Sequence, residues 1–482
     1  SIRRDPDYLD DPVLLDYVQS MWQPLLAASR KQGELEVDTD QRFAWEPFLV
    51  RDRSVNAFAL PGGYVGVHLG LIAVTDTRDE LASVLAHEMT HVTQRHIARS
   101  IAQGKQQSLI SMAAMILGVL ATSRSNSNGM GVGEALIVGG QASAMQGSLN
   151  FSRDMEREAD RIGFSVLTGA GFAPGGMAAM FEKLDKGSRL NDSGAFPYLR
   201  SHPLTAARIG EARARLGTSA SGGGAAAASG ARLEHALMQA RARVLMDPRV
   251  EALRRWQVLD KELSAPERTA EPPIEKLQAA YSAALASTLL REWPRADASL
   301  TRLASLPRPE ARRDARAERS VALLRAQSLL ERGDALGAWG SLQPLAAQDT
   351  SRSMWMATAP VAVGLMAPQA SAAAKAAGEP LARRVAEALQ SWVATSPNDA
   401  GAWAALSQVL GVSGQPLRAL RADAESHFAS GDWDGASDRL RAAQRMPRTN
   451  DPGDFIELSV IDARLRSIDA QRRQAALENR TY

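Results

Sequence analysis

The chain has 482 residues, about three times a ~150-residue domain, so two or three domains with more than one core are expected. Hydrophobic residues at 45% and charged residues at 23% exclude wholesale disorder, and a net charge of +2 without a long block of one sign excludes the basic footprint of a nucleic-acid binder. Zero cysteines exclude disulfides, thiolate metal sites and a Cys nucleophile, so any metal must be held by His, Asp or Glu.

Residues 7–30 read as a helix: Asp11 is placed to cap it, Pro12 suits the first turn, and Leu14, Leu15, Val18, Met21, Trp22 and Leu25 recur at helical spacing. From Glu34 to Ala73 short β-prone runs broken by Pro61-Gly62-Gly63 predict a small sheet with a tight turn. The strand Tyr64 to Gly70 carries two glycines, which suit an edge position, and Val65, Gly66 and Val67 are expected there to align an extended peptide by strand addition. Residues 79–101 follow a helical pattern through Leu81, Val84, Leu85, Val92 and Ile97.

Residues 109–121 form the longest apolar run, 13 residues against the ~20 that span a bilayer. That run is read either as a core helix or as a lid that also offers a surface for peripheral membrane contact, and the Ser/Asn/Gly cluster 123–129 after it as a loop. A further helix covers 152–169. The organisation expected is a domain over 1–216, a Gly/Ser/Ala linker over 217–230 and an all-α domain over 231–482. In the last of these, Gly333-Asp334 and Gly431-Asp432 lie 98 residues apart, near three repeats of ~33, with Ala326, Ala338, Ala424 and Ala436 at matching offsets, the small-residue pattern of tetratricopeptide helix pairs.

His87-Glu88-Met89-Thr90-His91 is an H-E-x-x-H motif, which sets two imidazoles on one helix face within reach of one metal ion and Glu88 beside them as a candidate base. A catalytic zinc wants a third protein ligand, which here must be a carboxylate or another His. His96 lies about 900° around a continuous helix from His87, half a turn out of phase, and is expected on the surface or in packing. Glu156 and Asp160 share a face of the 152–169 helix, small Ala159 allows close helix approach, and Glu158, about 200° from Glu156, is expected to point elsewhere.

His87-Glu88-x-x-His91 followed by Ser152-Arg153-x-x-Glu156-x-x-Ala159-Asp160 resembles the M48 family of zinc metallopeptidases. Arg200-Ser201-His202-Pro203-Leu204 is similar to the family's downstream His-Pro element, and Asn56 to Gly63 to its N-terminal strand and turn. The C-terminal repeats narrow the likeness to the periplasmic BepA-like branch. The resemblance implies an α+β zincin-like metallopeptidase domain followed by an all-α tetratricopeptide-type helical repeat domain. It implies Zn2+ held by His87, His91 and Glu156, Asp160 behind a ligand His, and Glu88 as general base and later proton donor to the leaving amine. For His202 it permits two roles, oxyanion stabiliser or inhibitory zinc ligand, beside a plain turn residue fixed before Pro203.

The function implied is a zinc endopeptidase (EC 3.4.24.-) acting on unfolded or misassembled outer-membrane proteins. The location implied is the periplasm, with a signal peptide already removed, and the repeat domain would bind substrate or dock to the outer-membrane assembly machinery. The alternative is a latent or non-proteolytic chaperone whose repeats bind partners around a structural or blocked zinc site. Retention of Glu88 favours chemistry over a structural site, which has no use for a general base, while a latent enzyme used mainly as a chaperone is compatible with it.

Overall fold

The computed structural model describes residues 2–103, 152–190, 196, 198–219, 232–263, 273–306, 314–447 and 452–478. The expected lid segment 109–121, the loop 123–129 and nearly all of the linker lie outside the described residues. The chain divides into two compact units, Val18–His235 and a second made of Ser1–Tyr17 with Ala236–Tyr482.

Helix α1 (Pro12–Lys31) enters the first unit from Val18 onward and supplies Trp22, whose indole N–H donates to the Trp45 carbonyl at 2.7 Å. A short helix α2 (Val37–Arg42) leads to strands β1 (Glu46–Val50), β2 (Ala57–Leu60) and β3 (Tyr64–His68). Then come α3 (Leu69–Val74) and α4 (Arg78–Thr93), which Thr77 caps by accepting from the Glu80 N–H. The short helices α2 and α3 were not visible in the β-prone pattern.

Strand β3 runs between the other two, parallel to β1 and antiparallel to β2. This corrects the edge assignment of Val65, Gly66 and Val67: the backbone of β3 is paired on both sides, Val65 and Val67 are fully buried, and none of the three can take an added peptide strand. The glycines serve close packing instead. A Cβ on Gly66 would stand 2.5 Å from the Phe58 ring, and one on Gly70 would stand 2.1 Å from the Arg53 carbonyl oxygen. Strand β2, Ala57–Leu60, forms one edge of the sheet.

Helix α4 ends at Thr93, and Arg95 adopts φ +53°, so the helical residues 96–103 set off on a new axis. The expected continuous helix over 79–101 is therefore broken. The 152–169 helix crosses α4 at small residues: Ala159 is fully buried, and a Cβ on Gly163 would lie 3.3 Å from the backbone of Ala86 and His87.

The second unit is built from successive helix pairs, Ala315–Glu331 with Ala335–Ala346, Arg352–Leu365 with Ala372–Thr395, Ala400–Val412 with Pro416–Ala429, and Trp433–Gln444 with Pro452–Glu478. The Gly-Asp pairs are its turns. Gly333 and Gly431 take φ +87° and +82°, and Asp334 and Asp432 cap the next helix by accepting from Gly337 and Gly435 N–H. Ala326, Ala338, Ala424 and Ala436 are all buried between helices. An α+β zincin-like domain followed by all-helical repeats is the architecture.

Residues 1–17 belong to the helical unit rather than to the 1–216 domain expected. Three acidic residues explain it: Asp11 pairs with Arg241 at 2.7 Å, Asp10 with Arg352 at 3.0 Å and Asp16 with Arg319 at 3.1 Å. Residues 232–235 go the other way, held by Arg78 on Glu234 and by His235 Nε2, 2.7 Å from the Thr75 carbonyl.

Candidate metal centre

The H-E-x-x-H motif falls inside α4, so helical geometry alone puts His87 and His91 side by side, and both are buried. Their Nε2 atoms stand 3.0 Å apart. Glu156 reaches in from the 152–169 helix, Oε2 at 3.4 Å from His87 Nε2 and Oε1 at 3.4 Å from His91 Nε2. His202, one turn after Tyr198 on the short helix Tyr198–Ser201, adds its Nδ1 at 2.9 Å from Glu156 Oε1 and 3.3 Å from His87 Nε2. The four donors lie within 4.8 Å of one another.

Tetrahedral zinc with bonds of about 2.0–2.1 Å needs donors roughly 3.3 Å apart, so separations of 2.9–3.4 Å fit it. The donor set is also chemically apt, three imidazoles and one carboxylate without a thiolate. Zinc is the ion this cluster suits.

Behind the donors, Asp160 Oδ1 stands 3.1 Å from His87 Nδ1, and Arg208 grips Asp160 through Nε and Nη2 at 2.7 and 2.8 Å. Arg208 Nη1 also lies 3.0 Å from Glu156 Oε2, so one guanidinium braces both carboxylates. Reasoning along the chain missed Arg208 because its contacts run 48 and 52 positions back, where no spacing rule applies; it also missed Tyr198, four positions before His202 and stacked on it with ring centroids 4.6 Å apart, because no motif marked that position.

Two residues expected to face elsewhere turn inward. The break at Arg95 swings His96 under the site, buried, with Nδ1 2.9 Å from His91 Nδ1, and Glu158 meets His96 Nε2 at 3.0 Å. The extrapolated helical phase failed because it assumed unbroken α-geometry through residue 95.

Burial disfavours charge throughout, and the partners decide which groups carry it. On His87 burial is outweighed by Asp160 and Glu156, which raise its pKa to about 10. Burial keeps His91 well below the usual histidine range, with the neighbouring His87 and His202 adding to the effect, and burial likewise lowers His96 against the pull of Glu158. Burial opposes the Glu156 carboxylate too, but His202 and His87 hold it far below the ordinary range. Glu88 is raised by burial, and neither of its carboxyl oxygens makes a hydrogen bond of normal geometry among the described residues; His202 Nε2 stands 3.4 Å from its Oε1.

These shifts set the pH dependence of metal uptake. Below about pH 10 a metal entering at His87 must displace one proton, so zinc affinity rises about one log unit per pH unit between about pH 7.5 and 9 and falls in the other direction. Chelator competition at three pH values checks this, and a flat profile contradicts a protonated His87.

Comparison with known proteins agrees with this geometry. Residues 19–216 match peptidase family M48. This part of the chain is an M48 peptidase domain. The M48 domain is similar to the beta-barrel assembly-enhancing protease of Yersinia pestis, 36% identical over 214 residues, covering 44% of this chain and 41% of that protein. The protein of the same description from Escherichia coli is 34% identical over the same shares. The mitochondrial metalloendopeptidase OMA1 of Schizosaccharomyces pombe is 33% identical over 169 residues, 34% of this chain and 44% of that protein. The chain thus spans about two fifths of the length of the two beta-barrel assembly-enhancing proteases. No helix among the described residues is long and apolar enough to cross a membrane.

Beside His91 a cleft of about 510 Å3 opens between the M48 domain's edge strand and the helical residues 96–103, lined by Phe43, Leu60, Pro61, Val92, Ile97 and Ile101. Its lining is mostly apolar, and Leu60 ends β2.

Proposed function

We propose that this chain is a zinc metalloendopeptidase of the periplasm that acts on unfolded or misassembled outer-membrane proteins. The helical unit would bind those substrates or the outer-membrane assembly machinery. One observation carries the peptidase reading: Glu88 is a fully buried carboxyl with a raised pKa whose oxygens make no hydrogen bond of normal geometry among the described residues, facing His202 Nε2 at 3.4 Å, next to a donor set that suits zinc. A structural metal site has no need of such a group.

In this reading His87, His91 and Glu156 hold the metal, and Asp160, braced by Arg208, accepts the Nδ1 proton of His87 and orients the ring. When bound, zinc supplies Lewis-acid polarisation of a peptide carbonyl and lowers the pKa of water at the site. Glu88 takes the proton of the attacking water and passes it to the leaving amine. The edge strand β2 aligns the substrate backbone, and the apolar cleft beside His91 receives a substrate side chain. The names of the Yersinia pestis and Escherichia coli relatives support the outer-membrane setting.

The test is cleavage of an unfolded outer-membrane protein by the zinc-loaded full chain. Activity should vanish on chelation and return with added zinc. Cleavage that persists in excess chelator sinks the metal mechanism.

A second reading concerns His202. Its Nδ1 lies at ligand spacing from Glu156 and His87, which supports a fourth protein ligand that keeps the enzyme latent over an oxyanion stabiliser. His202→Ala is then expected to raise cleavage on the order of tenfold, the gain being set by how rarely the fourth position is free in wild type. A loss of activity with zinc content unchanged assigns His202 to oxyanion stabilisation instead, and unchanged turnover and zinc content reject both roles.

A further inference from the structure

The two histidines of the motif are supported differently. His87 faces a carboxylate, whereas His91 Nδ1 faces another imidazole, the Nδ1 of buried His96 at 2.9 Å. Beyond it the contacts continue: His96 Nε2 is 3.0 Å from Glu158 Oε2, and Arg99 Nη1 donates to the same oxygen at 2.7 Å.

The proton positions in this chain of groups follow from the metal site. His91 turns its Nε2 toward His87 and Glu156, so a metal would take the Nε2 lone pair and leave the proton on Nδ1. That N–H donates to His96 only if His96 Nδ1 is bare. His96 must then carry its proton on Nε2, where Glu158 accepts it. The opposite tautomer of His96 would set two N–H groups against each other at 2.9 Å, and a doubly protonated His96 would do the same. Arg99 fixes Glu158, and the left-handed turn at Arg95 is what brings His96 beneath His91.

We propose that His96 and Glu158 are positioning residues for the metal centre, a neutral imidazole acceptor held by a carboxylate that together fix the tautomer and ring orientation of ligand His91. The inference rests on the reading of His87, His91 and Glu156 as metal ligands. It adds two residues that touch neither metal nor substrate but set how well one ligand binds.

The test measures zinc affinity of the full chain by chelator competition and the visible absorption of the Co2+-substituted protein, both independent of turnover. His96→Leu fills the space without an acceptor and is expected to weaken zinc binding by about 10–100-fold and to alter the Co2+ spectrum. His96→Asn presents an amide oxygen where Nδ1 stood and should restore affinity to within about threefold of wild type. Loss of the acceptor alone distinguishes the two variants, so an Asn protein as weak as the Leu protein, or a Leu protein with wild-type affinity, overturns the proposal. Should His96→Leu fail to fold, Glu158→Ala takes its place: the Glu158 side chain is 29% exposed, and several-fold weaker zinc binding is expected, whereas unchanged affinity overturns the relay. His91→Ala serves as the control for the site itself. A wild-type chain that binds no zinc, or binds it equally with and without His91, removes the metal centre and the inference with it; a chain that binds zinc through His91 but is indifferent to His96 and Glu158 overturns the inference alone.

Discussion

Glu88→Gln is expected to lower cleavage of an unfolded outer-membrane protein by about 10²–10⁴-fold while zinc content stays at the wild-type level. The amide keeps the volume of the carboxyl but cannot take up a proton, and burial has already brought the native group's pKa upward, toward the range where a base works best. His87 and His91 keep their positions because the substitution changes no group they contact through Nδ1 or Nε2. Metal analysis alongside a cleavage assay separates the outcomes. A Gln protein that retains zinc and cleaves at the wild-type rate would show that Glu88 is not the base. Loss of zinc together with activity would place Glu88 in metal retention instead.

The largest effect on stability is expected at the N-terminal segment. Asp11→Ala should destabilise the helical unit by about 3–5 kcal/mol, because it leaves the buried Arg241 guanidinium without the carboxylate that holds its charge. Burial alone would push Arg241 toward losing its proton; Asp11 and Tyr281 counter this. Asp11 also caps α1 by accepting from the Leu14 N–H at 2.9 Å, which contributes about 1 kcal/mol more. Urea unfolding followed by helical circular dichroism checks the result. The double variant Asp11→Ala with Arg241→Leu should recover most of the loss, since no charge then remains buried. A single variant within ~1 kcal/mol of wild type would mean that the pair contributes little and water reaches Arg241.

The sequence by itself determined the parts of this protein that depend on short spacing. His87 and His91 are four apart on one helix, and so are Glu156 and Asp160 on another; a regular helix fixes such pairs whatever surrounds them. The all-helical second half was legible for the same reason, since Gly-Asp turns and caps are local chemistry. Tertiary structure decided the rest. Gln94-Arg95 carries neither Gly nor Asn, so nothing announced the left-handed residue that redirects His96. Gly66 of β3 and Gly70 just after it looked like edge signals until packing placed Phe58 and Arg53 against them. Arg208 on Asp160, and Arg241 on Asp11 across 230 positions, are contacts between residues that helical or strand periodicity cannot relate. Periodicity reports which face a residue occupies on its own element; which element it meets is set by packing across the whole fold.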